Sequence, residues 1–343
     1  MRVFVTGSTG FVGREIVRHL KQNGHDVIAL CRNPDELDVD GIQKVRGDIL
    51  EPHLWEPQLR EAEACVHCIG ILRAFPHKGI TFEALHYQAT LNLVRACGKV
   101  GVQRYIHISA NGVEKNPTTE YMRSKAKAEQ AVRSSSLDWT ILRPSVVYGG
   151  SQSKESFVRL LRSNLAKAPI FPYFGKGDYR LAPISTWELA ETVKRCLDRP
   201  DTKGKIIHVG GDEVYTYKAL LHLLIESGGY KTKLFSLPTF LMSTAAGVLG
   251  SFDWFPMTKE MLQMLLQGND LPPQALSQRL LEVPSISFRA WLTHGILEPP
   301  SAGVLPEQAA QSPNVTQHLK VEDAPPEAPT PNLTRPLQPE EAE

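Results

Sequence analysis

The chain has 343 residues, 42% of them hydrophobic and 22% charged, with a formal net charge of +1 at pH 7. Such a chain buries a large core, and its near-neutral balance gives no electrostatic ground for binding nucleic acid or a strongly acidic partner. The five cysteines (Cys31, Cys65, Cys68, Cys97, Cys196) are an odd, scattered set, which argues against a disulfide framework and for reduced thiols in the cytoplasm.

Val3, Phe4 and Val5 make a short apolar run suited to a buried parallel strand, and Val12, Ile16 and Leu20 fall on one face of a following helix. Because this strand begins almost at Met1, no export signal is expected. Between strand and helix stands Thr6-Gly-Ser-Thr-Gly-Phe-Val-Gly13. Gly7 permits a tight bend, Gly10 lets the backbone approach a pyrophosphate, and Gly13 lets helix and strand pack closely. The free N–H groups at the helix start favour an anion. With a readable strand before it and a helix after it, this turn is expected to hold a dinucleotide.

Asp26 to Arg32 reads as a second strand, and its end selects the cofactor. An acid there holds ribose hydroxyls, whereas an arginine suits a 2′-phosphate. The residue is Arg32, with Arg14 just past the turn as a second cation, so NADP is expected over NAD. Asp35 and Glu36 follow closely, and a plain surface arginine neutralised by them is the competing reading. Ile42 to Asp48 reads as a third strand, whose end places Asp48 and Ile49 to flank an adenine. The apolar run at residues 64 to 71 reads as a fourth. Its Cys65 and Cys68 form a CxxC with no second pair, read as core packing rather than a metal or redox site. No metal is expected.

A helix from Thr81 to about Lys99 leads to a strand at Arg104–Ser109, and a helix from about Tyr121 to Ser135 leads to Asp138–Pro144. This alternation predicts an α/β fold, a doubly wound parallel sheet of the Rossmann kind with ligands at the carboxyl ends of its strands. Tyr121 and Lys125 stand at i and i+4, so one helix face presents both to the same space. A nearby ammonium and an oxidised nicotinamide favour phenolate, which suits Tyr121 to acid/base work. Lys125 is also placed to hold the nicotinamide ribose, and Ser109 to hydrogen-bond a substrate carbonyl or alcohol. Taken alone, YxxxK is more often a solvated helix face; its place one helix after the fifth strand favours an active site. His86 is either a donor in that site or a satisfied structural group.

Beyond Tyr148 the alternation becomes irregular, with helices near Ser156–Leu165, Trp187–Leu197, Tyr217–Glu226 and Lys259–Leu266 and a strand at Lys205–Gly210. The expected organisation is a nucleotide domain over 1–150, a smaller, mostly helical cap over 151–298 partly interleaved with the sheet, and a tail over 299–343. Leu234 to Phe252 carries no charged residue but is broken by Pro238, Gly247 and Gly250, and is read as a helix buried in the cap or lying at a hydrophobic surface rather than a span. From Glu298 onward ten of the chain's 25 prolines fall in the last 46 residues, which predicts a disordered tail, solvated or docked on a partner.

Thr6 to Gly13, Gly47-Asp-Ile49, His107-Ile-Ser109, Tyr121-xxx-Lys125 and Leu142-Arg-Pro-Ser-Val-Val-Tyr-Gly149 together resemble the extended and atypical short-chain dehydrogenase/reductase superfamily, over about the first 230 residues. Phe82-Glu-Ala-Leu-His86, His107 to Gly112 and Gly210-Gly-x-x-Val-Tyr-Thr-Tyr217 look most like the branch of the nucleotide-binding accessory subunit of mitochondrial complex I and its bacterial relatives. The resemblance implies an NADP-binding Rossmann domain with a small carboxyl-terminal lobe. It implies cofactor contacts at Gly7, Thr9, Gly10, Phe11, Val12, Gly13, Arg14, Arg32, Asp48, Ile49, Gly70, Lys125 and Pro144, with Tyr121, Lys125 and Ser109 as catalytic residues. His86 stands where active extended members commonly have asparagine, and Ser109 and Tyr121 are nearer in sequence than in active epimerases. Two functions follow. One is an NADP-dependent oxidoreductase or epimerase/dehydratase-like enzyme acting on a small molecule. The other is a non-catalytic NADP-binding accessory or assembly protein, peripheral on a respiratory or photosynthetic membrane complex. The helices near 81–99 and 121–135 are compatible with a homodimer and equally with a monomer.

Overall fold

A computed structural model describes residues 1–113, 118–150, 156–240, 258–272 and 278–295. Strands β1 (Arg2–Thr6), β2 (Asp26–Cys31), β3 (Gln43–Arg46), β4 (Ala64–His67), β5 (Arg104–Ile108), β6 (Asp138–Pro144) and β7 (Lys205–Val209) form one sheet in the order β7-β6-β5-β4-β1-β2-β3. Every pairing in it is parallel. The order reverses at β1, which lies between β2 and β4, and the crevice at a switch of this kind is where open α/β sheets bind ligands.

Alternate strand residues feed two cores. Val3, Val5, Val66 and Ile106 face helices α1 (Phe11–Gln22) and α5 (Thr186–Asp198), where Ile16, Leu20, Leu189 and Val193 complete the layer. Phe4, Ile28, Cys65 and Tyr105 face the other way, onto α2 (Ala89–Val100) and α3 (Glu120–Arg133), through Leu93, Cys97 and Val132. The period-two alternation thus gives each face of the sheet its own helical cover. A six-residue π-helical turn, Glu83–Gln88, precedes α2. Turns of this kind inside helices often accompany functional sites. Thr119 caps α3 by accepting the Met122 N–H at 3.1 Å, which starts the helix one residue before Tyr121.

Beyond residue 150 the chain builds a third core and also returns to the sheet. Helices α4 (Phe157–Lys167), α6 (Tyr217–Gly228), α7 (Lys259–Leu266) and α8 (Phe288–His294) pack around Leu161, Phe174, Leu220, Leu224, Leu262 and Phe288. Meanwhile β7 extends the main sheet beside β6, and α5 lies against α1. The uncharged stretch expected as a helix begins differently: Lys233–Leu237 is a strand paired in parallel with Ile170–Phe174. Pairing engages one edge of its backbone, and Leu234 and Leu237 pack against the third core. The rest of that stretch from residue 241, and the proline-rich tail, lie outside the described residues. No helix among the described residues is long and apolar enough to cross a membrane.

Candidate functional site

The glycine turn is built by close backbone contacts. Gly7 has φ +69°, and a Cβ there would stand 2.9 Å from the Cys68 carbonyl carbon. A Cβ on Gly13 would come within 2.1 Å of the Gly7 carbonyl oxygen, and one on Gly10 within 3.2 Å of the same atom. The Gly10 N–H donates to that oxygen at 3.0 Å, and the Gly10 carbonyl accepts the Arg14 N–H at 3.0 Å to open α1. No acidic residue occupies the first turn of this twelve-residue helix, so its N-terminal N–H groups and dipole keep their affinity for an anion. A backbone-lined cradle whose glycines admit no Cβ is what a pyrophosphate requires, and the residues present fit one. Thr9, Phe11 and Val12 complete the turn: the Thr9 carbonyl accepts from Arg14 at 3.3 Å, the Phe11 ring lies 2.9 Å from where a Gly150 Cβ would stand, and Val12 packs on the core.

At the end of β2, Arg32 is exposed. The Arg14 guanidinium reaches the same corner, donating to the Glu36 carbonyl at 2.6 Å. Two cations therefore stand together at the end of β2. Asp48 has one carboxylate oxygen engaged by the Leu50 N–H at 2.8 Å, and its carbonyl accepts from the Trp55 indole at 2.9 Å. Ile49 is 4% exposed and packed with the core of Phe4, Ile28 and Trp55, so most of its apolar surface is already covered.

Lys125 is buried, and its ammonium donates to the carbonyls of Ile108 at 3.1 Å and Ile69 at 3.4 Å, spanning the ends of β5 and β4. Gly70 sits over it; a Cβ there would be 3.2 Å from Nζ. Burial lowers the lysine to about 8, with the Glu129 charge opposing. Tyr121 is also buried, and burial alone pushes its phenol up to about 12. The lysine charge does not offset this rise.

Ser109 is buried at the end of β5 and donates to Glu129 Oε1 at 2.5 Å. Glu129 in turn receives two hydrogen bonds from Arg143, at 2.9 Å from Nε and 2.7 Å from Nη2. Their side chains are only 4% and 9% exposed, so this is a paired, bidentate charge set beneath the site. Tyr121, Lys125 and Glu129 recur at i, i+4 and i+8 on α3, so the helical spacing alone puts an acid on the same stripe as the phenol and the ammonium. Pro144 closes β6, where its carbonyl accepts the Asn111 N–H at 2.9 Å.

His86 is buried. Its Nε2 accepts the Ile71 N–H at 3.0 Å and its Nδ1 lies 2.8 Å from Ser124 Oγ. Burial first, then the Lys125 charge, hold the imidazole down to about 2, so it is neutral. Asn111, within the His107–Gly112 stretch, ties the sheet to the segment after α7. It donates to Asn269 Oδ1 at 3.0 Å and the Asp270 carbonyl at 2.7 Å, and accepts from His208 Nδ1 at 2.9 Å. Cys65 is buried among apolar neighbours and Cys68 is held up to about 12 by burial. Among the described residues no group of His, Cys, Asp or Glu is arranged to hold a metal ion.

Residues 7–170 match a family model described as NAD(P)H-binding. The fold is NAD(P)-binding and similar to that of the short-chain dehydrogenases/reductases. It is 25% identical to the 40 kDa subunit of the mitochondrial NADH-ubiquinone oxidoreductase of Neurospora crassa, over 79% of this chain and 72% of that protein. It is 27% identical to the chloroplastic divinyl chlorophyllide a 8-vinyl-reductase of Zea mays, over 72% of this chain and 64% of the reductase. Among solved structures, the dTDP-glucose 4,6-dehydratase of Streptomyces venezuelae with NAD and TYD bound is similar, with a TM-score of 0.59 and 25% identity over 69% of this chain and 84% of that one. The relatives therefore include both a respiratory-complex subunit and enzymes on one fold.

Proposed function

We propose that the chain is an NADP-dependent oxidoreductase or epimerase/dehydratase-like enzyme acting on a small molecule beneath the cap of residues 151–298. The observation that carries this reading is the burial of Tyr121 and Lys125 on one face of α3, with the lysine Nζ under Gly70 at the strand ends that the glycine turn adjoins. When bound, the nicotinamide supplies hydride transfer. Gly7, Gly10 and Gly13 hold its pyrophosphate, and Arg14 and Arg32 hold a 2′-phosphate. Lys125 donates to the ribose, and Tyr121, whose phenolate is favoured by the positive nicotinamide ring of the oxidised cofactor, takes or gives the proton at Oη. Because the Ser109 hydroxyl already donates its hydrogen bond to Glu129, its oxygen serves a substrate hydroxyl as an acceptor.

The test is to denature purified protein, identify any released nucleotide by mass spectrometry, and measure NADP and NAD affinity of the stripped protein with and without Arg32→Ala. NADP preference lost in the variant is the expected result; no affinity for either dinucleotide overturns the reading.

One observation favours a second reading. The phenol held up at about 12 and the Ser109 hydroxyl committed to Glu129 also suit a site that binds without turning over. In that reading the chain is an accessory or assembly protein, peripheral on a respiratory or photosynthetic membrane complex, and NADP is structural. Retention of NADP through purification together with co-sedimentation with a membrane complex supports it; a protein wholly in the soluble fraction with rapidly exchanging NADP opposes it.

A further inference from the structure

A row of buried polar groups runs behind the site, and its donors and acceptors have only one consistent assignment. The Ile71 backbone N–H can only donate, so His86 Nε2, 3.0 Å away, carries no proton. A neutral imidazole has one proton, which is then on Nδ1 and donates to Ser124 Oγ at 2.8 Å. The Ser124 hydroxyl is free to donate onward, to the Tyr121 carbonyl at 2.8 Å. On the other side of His86, the Thr90 hydroxyl donates to the His86 carbonyl at 2.6 Å. Thr90 Oγ1 is therefore the acceptor for His67 Nε2–H at 3.1 Å, and the bare Nδ1 of His67 accepts the Thr6 hydroxyl at 2.7 Å. Burial and the Lys125 charge keep His67 neutral, as they do His86. Thr6, His67, Thr90, His86 and Ser124 are all 4% exposed or less.

We propose that Thr6, His67, Thr90, His86 and Ser124 form two oriented hydrogen-bond runs joined through the residue His86, whose backbone carbonyl ends one and whose imidazole begins the other, with the two imidazoles locked in opposite tautomers, and that this chain positions the Tyr121 helix against the nucleotide turn. One end is the residue before Gly7; the other is the backbone of Tyr121. The branch to Ile71 fixes the segment after β4, where Gly70 covers Lys125. These five are positioning residues: neutral and fully partnered, they exchange no proton, and a buried chain with every member satisfied specifies one arrangement of the elements it joins. The inference rests on the reading of residues 7–13 as the nucleotide turn and of Tyr121 and Lys125 as the reacting pair.

The test uses the full chain labelled with ring-¹⁵N histidine. Nitrogen NMR is expected to show His86 protonated at Nδ1 and His67 at Nε2, with assignments made by the signals lost in His86→Gln and His67→Gln. NADPH affinity, read by fluorescence, is the second measurement. His86→Ala is expected to weaken binding about 10-fold, the scale of one lost hydrogen bond, whereas His86→Gln, whose amide oxygen can accept from Ile71, stays within about 3-fold. Thr90→Val, which keeps shape and removes the link, is expected to weaken binding about 3- to 10-fold. The same tautomer at both histidines, a proton on His86 Nε2, or an alanine variant that binds NADPH as the wild type does would each overturn the proposal. A wild-type protein that binds neither NADPH nor NADH defeats the proposed function instead, and the tautomers measured on that same protein still decide whether the chain exists.

Discussion

Gly13 and Gly7 approach so closely that a methyl on Gly13 would stand 2.1 Å from the Gly7 carbonyl oxygen. No side-chain rotation relieves a backbone clash, so Gly13→Ala must open the turn. NAD(P) binding is expected to fall by at least ~100-fold, with a lowered melting temperature, as the third glycine of such a turn exists for close helix–strand packing. Isothermal titration and a thermal melt check this; an alanine variant with unchanged affinity would mean that the turn does not hold the nucleotide.

With Lys125 lowered to about 8, nucleotide binding is expected to be sensitive to alkaline pH. Its ammonium is present below that value and lost above it. NADP affinity is therefore expected to be flat from pH 6.5 to 7.5 and to decline through pH 8 to 9.5 as one proton leaves. Lys125→Met should bind more weakly throughout and show no decline. An identical slope in the variant would assign the titration to another group.

Tyr121→Phe removes the phenol while keeping its ring against Phe82 and His86. Turnover of any substrate found by screening is expected to drop by ~100- to 10,000-fold with NADP affinity within a few-fold of the wild type. Turnover that persists in the variant would place the proton transfer elsewhere.

Glu129 and Arg143 are each the other's buried counter-ion. Arg143→Met strands a carboxylate, and Glu129→Gln strands a guanidinium; each is expected to cost about 3–5 kcal/mol in denaturant unfolding. The double variant should recover part of that loss. Strictly additive losses would show that the two side chains do not act as a pair.

Glu191 predicts the acid limb of stability. Burial alone would raise its carboxyl, but hydrogen bonds from His19 and Arg195, with the Lys194 charge, outweigh burial and bring it down to about 2. A carboxyl lower in the folded than in the unfolded chain binds fewer protons when folded, so its contribution is complete above the unfolded value near 4.5 and fades as pH falls toward 2. Melting temperature is expected to drop through that window, and Glu191→Gln should flatten the drop while lowering stability at pH 7. A variant that follows the wild-type acid curve would remove Glu191 from the account.

The strand, turn and helix of residues 2–22, the alternation up to Pro144 and the shared face of Tyr121 and Lys125 were all legible in the sequence. Each arises from backbone periodicity or from glycine at a fixed offset, which are properties of neighbouring residues. Tertiary structure alone decided which groups meet. Ser109 donates its hydrogen bond to an acid 20 residues away, and His86 is held between Ile71 and Ser124, 15 and 38 residues distant. Lys233–Leu237 became a strand because Ile170–Phe174 lay beside it. Burial raises the Tyr121 phenol, and the Lys125 ammonium beside it on the same helix donates to two carbonyls at the strand ends. Spacing along a helix places two side chains on one face; which way their polar atoms turn depends on the partners that packing brings from elsewhere in the chain.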